Sequence, residues 1–211
     1  MTALASGALV VAGLLALGDW YSRWRLRPTL EYICKPGTLL ALIAAAPFLD
    51  PRHDAVRAWF VAALVLSLVG DVLLMLPKEQ FVGGLGAFLL AHVCYIGGFV
   101  AEGLRAPAVV LALAGTAVIV APVARRVLRG VSANEPALRP PVVAYLVVIG
   151  AMLAVAIASG NPLAIVGAAL FVTSDSMIAW SKFVAPFAAA PVAIMVTYHL
   201  AQAGLVLSLL R

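Results

Sequence analysis

The sequence predicts an all-α, polytopic membrane bundle of about eight transmembrane helices, on three observations. The chain is 64% hydrophobic and only 11% charged, where a soluble domain averages roughly 45–50% and 25%. Its apolar residues are gathered into continuous runs of span length, about 20 residues, and not into the weak alternating segments of a transmembrane barrel. The breaks between runs are short and hold most of the Pro and charge. No room is left for a soluble domain, so residues 1–211 read as one integral membrane domain with a mean hydropathy of +1.10.

Eight spans are expected, at roughly 2–22, 30–49, 56–76, 81–101, 106–128, 141–159, 161–181 and 186–210. The first has no basic residue before it and arginines after it, so it reads as a retained span and not as a cleaved leader. Arg23, Arg25, Arg27 and Pro28 close it. Asp50 to Asp54 separates the second and third spans, and Pro77-Lys78-Glu79 the third and fourth. Glu102, Arg105 and Pro107 mark the next break. The longest loop is expected from Arg125 to Pro141, Gly160-Asn161-Pro162 is a tight turn, and Lys182 to Pro186 is the last loop.

The net charge of +5 sits in these breaks, so it sets topology and does not signal nucleic acid. The odd loops carry nine basic residues: Arg23, Arg25, Arg27, Lys78, Arg125, Arg126, Arg129, Arg139 and Lys182. The other side carries four: Arg52, Arg57, Arg105 and Arg211. The positive-inside rule then puts the odd loops in the cytoplasm and both termini outside. A bacterial cytoplasmic membrane is the expected location. Cys34 and Cys94 both fall in apolar runs and read as buried thiols.

Two acids lie inside apolar runs: Asp71 in Gly70-Asp71-Val72-Leu73-Leu74-Met75, and Asp175 in Thr173-Ser174-Asp175-Ser176-Met177. An ionised Asp at a bilayer centre costs roughly 2.5–3.5 kcal/mol on the insertion scale. Such residues face the bundle interior and mark function. Lys35, His92, Tyr95, Tyr145, Tyr198, His199 and Gln202 lie at comparable depth in other spans. Together with the acids they predict one polar pocket, open to the cytoplasm, in which these residues bind or orient a substrate. The bland alternatives are a structural acid pair, a snorkelling Lys35, interhelical hydrogen bonds from the histidines and an interfacial Tyr145. Asp19, near the end of the first span, reads as a solvated cap, and Gly83-Gly84 and Gly97-Gly98 as close-packing contacts. Two His and two Asp could hold a metal, but no His-x-x-His or Cys-x-x-Cys supports one, so no metal and no cofactor is expected.

An internal repeat fits the same residues. Lys78 follows Asp71 by seven positions, as Lys182 follows Asp175, and His92 with Tyr95 is matched by Tyr198 with His199. The offset is about half the chain, as in a parallel duplication of four spans.

Several of these motifs resemble the YhhN family, to which the mammalian transmembrane protein 86 lysoplasmalogenases belong. They are Cys34-Lys35-Pro36, Gly70 to Met75, Ala91-His92-Val93-Cys94-Tyr95, Gly167 to Phe171 with Ser174-Asp175-Ser176, and Tyr198 to Gln202. The resemblance runs from about 30 to 205. It implies a multi-pass hydrolase acting on a lysophospholipid, cleaving the vinyl ether of lysoplasmalogens to a fatty aldehyde and a glycerophospho-base. Such a reaction needs one neutral carboxylic acid and one carboxylate, and two acids in unlike environments supply them. Asp71 and Asp175 are the expected catalytic pair, in an order the sequence leaves open. The competing readings are a proton-coupled transporter, which also uses buried Asp and His, and a lipid-binding membrane protein without chemistry.

Overall fold

The computed structural model describes residues 1–49, 54–76 and 80–210. Eight long helices follow one another: α1 (Ala3–Arg25), α2 (Pro28–Ala45), α3 (Asp54–Met75), α4 (Phe81–Glu102), α5 (Ala106–Asn134), α6 (Arg139–Ser159), α7 (Pro162–Phe183) and α8 (Ala190–Leu207). Each belongs to a segment long and apolar enough to cross a membrane. The breaks at Asp50 to His53 and Pro77 to Glu79, with Lys78 of the expected repeat, lie outside the described residues.

Local chemistry sets the ends. Thr2 caps α1 by accepting from the Ala5 amide at 3.2 Å. Leu26 closes it at φ 53°, a left-handed stop. Pro28 starts α2, where a missing N–H costs nothing. Gly160 at φ 73° ends α6, and Asn161 caps α7 through the amides of Leu163 and Ala164.

The expected loop from Arg125 to Pro141 is mostly helix. α5 runs on to Asn134 because Val127 and Val131 bury themselves against Phe183 and Val142, while Arg125 and Arg126 point outward. Pro140 and Pro141 stand in the first turn of α6, where they need no donor, so they begin that helix instead of delaying it. The true turn is the short 3-10 segment Pro136–Leu138. Lys182 likewise belongs to the last turn of α7.

The helices pack chiefly as antiparallel hairpins, α1 on α2, α3 on α4, α5 on α6 and α7 on α8. Small residues allow it. A Cβ on Gly167 would stand 2.8 Å from the Leu205 amide nitrogen, so α7 and α8 touch backbone to backbone. Gly84, Gly97 and Gly98 are close contacts of α4 on α3, against Leu74, Trp59 and Phe60, whereas Gly83 has ordinary clearance. One core cluster draws on α1 to α4 and α6 to α8. The second, smaller cluster seats α5 against α6 and α7.

Candidate active site

Asp71 is 1% exposed, in the last turns of α3. Its Oδ1 lies 3.1 Å from the Lys35 ammonium of α2. Its Oδ2 accepts from the Tyr198 hydroxyl of α8 at 2.7 Å. The chain of bonds continues inward: Gln202 Nε2 donates to the Tyr198 oxygen at 3.3 Å, and Tyr95 of α4 donates to Gln202 Oε1 at 2.5 Å. A buried charge is tolerated when paired and hydrogen-bonded, and Asp71 has both.

Asp175 of α7 has different company. Tyr145 of α6 donates a short hydrogen bond to its Oδ2, and His92 Nε2 of α4 stands 4.0 Å from the same oxygen. His92 Nδ1 lies 2.6 Å from the Phe88 carbonyl. A carbonyl can only accept, so Nδ1 carries the hydrogen and Nε2 of the neutral ring is an acceptor. That nitrogen is buried and, among the described residues, has no hydrogen-bond partner. The gap between Nε2 and the carboxyl is too long for a direct hydrogen bond and suits a bridging water.

The two clusters are joined by rings. Phe171 meets Tyr198 at 5.5 Å and His92 at 4.6 Å between centroids, and Phe88 meets Tyr198 at 5.9 Å.

A narrow cleft of about 60 Å³ opens between α4, α5, α6 and α7. Its walls are apolar side chains such as Leu85, Phe88, Ile149 and Ala179, and its polar wall is Tyr145, Asp175 and Ser176. Asp71 and Lys35 do not line it. The expected shared pocket is therefore corrected: the polar set divides into a buried network around Asp71 and a cleft wall at Asp175, with Phe88 bordering both. The reason is that α4 and α8 send Phe88 and Tyr198 into the space between the acids.

Other expectations fall differently. Tyr145 is buried at its Asp175 bond and is not an interfacial anchor. His199 stands apart from both carboxylates; its Nδ1 accepts from Trp20 Nε1 at 3.1 Å. Asp19 is no solvated cap. It is 0% exposed, because α1 continues to Arg25 and leaves it about 9 Å inside the helix at 1.5 Å per residue. Ser22 Oγ lies 3.4 Å from its Oδ1, and among the described residues its Oδ2 has no hydrogen-bond partner. Cys34 is buried and Cys94 half-buried, both as free thiols. Trp20, Phe88 and Phe171 were not singled out from the sequence, because aromatic residues in apolar spans carry no signal of their own. Among the described residues, no three His, Cys, Asp or Glu side chains are grouped as a metal ion would need.

Comparison with known proteins bears on this geometry. The family model described as "YhhN family" matches residues 30–209. The chain belongs to the YhhN family. A YhhN relative named "Lysoplasmalogenase" from Mycobacterium bovis is 36% identical over 215 residues, covering 94% of this chain and 82% of that protein. "Lysoplasmalogenase TMEM86B" from Homo sapiens is 36% identical, covering 71% of this chain and 62% of its own. "Uncharacterized membrane protein YhhN" from Escherichia coli O157:H7 is 36% identical over 37% of this chain and 33% of that protein. No solved structure matches the chain. The YhhN match takes in every residue of both carboxylate clusters and leaves Asp19 and Trp20 outside it.

Proposed function

We propose that this YhhN protein is a lysoplasmalogenase: a membrane-embedded hydrolase that cleaves the vinyl ether of a lysoplasmalogen to a fatty aldehyde and a glycerophospho-base. The observation that carries the reading is a narrow, apolar-walled cleft with a carboxyl group, Asp175, on its wall. The names of the mycobacterial and mammalian relatives support the same activity.

The chemistry follows from the groups at hand. The Asp175 carboxylic acid protonates the β-carbon of the vinyl ether, and the π electrons form the new C–H bond. The resulting oxocarbenium ion is captured by a water held between Asp175 and His92 Nε2. His92 takes a proton from that water; the hemiacetal then collapses to aldehyde and glycerol as His92 passes that proton to the departing glycerol oxygen and the Asp175 carboxylate takes the proton of the hemiacetal hydroxyl. One water is consumed and no redox partner is needed. Tyr145 fixes the carboxyl rotamer by donating to Oδ2, leaving the other oxygen for the proton. Asp71, paired with Lys35 and Tyr198, stays ionised and opposes the developing positive charge from behind the aromatic wall. On this reading Asp175 is the acid and Asp71 the electrostatic carboxylate. Tyr95, Gln202 and Tyr198 hold Asp71 in place, and His199 braces α8 against α1.

The protein acts as one integral unit of the bacterial cytoplasmic membrane, with odd loops cytoplasmic and both termini outside. The test of activity is a panel of lysophospholipids matched in chain length. Purified protein should release aldehyde from the vinyl-ether lipid and nothing from the saturated ether. Release of fatty acid from the ester lipid, with no aldehyde from the vinyl ether, would overturn the reading.

A further inference from the structure

We propose that Lys182 is the headgroup-phosphate residue of this cleft, so that α7 alone measures the substrate from reacting carbon to phosphate. The inference rests on the hydrolase reading for its substrate class and adds a binding residue to it.

Lys182 follows Asp175 by seven residues, two helical turns, so both lie on one face of α7. Ile178 and Ala179, on the same face between them, line the cleft. Phe183 and Phe81, edge to face at 5.9 Å, line it at the end where α7 stops and α4 begins. The Lys182 ammonium lies 4.3 Å from the Phe81 ring centroid and 5.9 Å from that of Phe183. It is held over the rim of the cleft by the ring faces, and among the described residues no carboxylate pairs with it.

Two turns and a residue step of 1.5 Å separate the Asp175 and Lys182 backbones by about 10 Å along the axis. In a lysoplasmalogen, seven bonds run from the vinyl β-carbon to the phosphorus, about 8–9 Å when extended at ordinary bond lengths. A lipid with its β-carbon at Asp175 and its glycerol running along the cleft past Ile178 and Ala179 therefore brings its phosphate to the rim. There Lys182 is a point charge suited to a phosphodiester.

Binding to the purified full chain tests this without requiring turnover. The probes are a saturated 1-O-alkyl glycerophosphoethanolamine, which has no double bond to protonate, the matching 1-O-alkylglycerol, which has no phosphate, and glycerol phosphate, which has no tail. Lys182→Met should weaken the phospholipid analogue about tenfold, the scale of one charge-assisted hydrogen bond, and leave the alkylglycerol unchanged. Lys182→Arg should retain most of the affinity. Equal loss for both tailed probes, no loss for either, or no binding of the phospholipid analogue to the parent protein would overturn the proposal. So would glycerol phosphate binding as tightly as the tailed analogue, which would mark a site for free phosphate. Aldehyde release with Lys182-independent binding removes the headgroup site alone. Lys182-dependent binding without aldehyde removes the hydrolase reading alone.

Discussion

Asp71 and Asp175 share a side chain and a depth but differ in their neighbours, and the proposed division of labour rests on that difference. Asp71 has an ammonium and a phenol within bonding distance. Asp175 has a phenol, a neutral imidazole lone pair and the cleft. Asp175→Asn should cut aldehyde release at least about 100-fold, the low end for a positioned acid, with the fold intact by helicity and detergent-resistant size. Tyr145→Phe, which frees the carboxyl to rotate, should cost less, about tenfold in kcat. Lys35→Met leaves a buried carboxylate unpaired and should destabilise the protein by roughly 3–5 kcal/mol. Adding Asp71→Leu to it should restore much of that stability and none of the activity, read together in a thermal unfolding and turnover assay. Both acids were legible in the sequence, since an acid within an apolar run has few bland explanations. Asp19 was not. It borders a run of arginines, and only the packing of α1 on α2 shows that it is inside.

At the level of elements, helix number and order could be read from hydropathy, because a bilayer fixes the length of every apolar run. α5 was misjudged at its end because arginines look like a loop to a hydropathy window. Val127 and Val131, spaced by one turn, keep the helix going against Phe183. The division of the polar set was equally hidden, since depth along a helix says nothing about which neighbour a face meets. The α7/α8 hairpin bears directly on the site, because it sets Tyr198 beside Asp71. Gly204→Leu should push α8 off Gly167, where an added Cβ already meets backbone at 3.1 Å. We expect lower thermal stability and turnover reduced in parallel, measured on the same preparation.

Across the whole molecule, the helices around the two acids can be compared with the proposed duplication. α2 and α8 hold Asp71, and α6 and α4 hold Asp175. Those are the helices that a duplication of α1–α4 onto α5–α8 would exchange. Tyr95 and Gln202, about half a chain apart, meet each other across the middle. Orientation is testable by itself: cysteines placed in the 135–138 turn should react with an impermeant thiol reagent only after cells are opened, and labelling in intact cells would invert the assignment. The most direct measurement of the central claim is the reaction run in deuterium oxide. A carboxyl that protonates the vinyl β-carbon must leave one solvent deuteron at C2 of the aldehyde. The account predicts singly deuterated aldehyde from the parent protein and almost none of any kind from Asp175→Asn. Aldehyde without deuterium at C2, or undiminished deuterated product from the Asn variant, would contradict it.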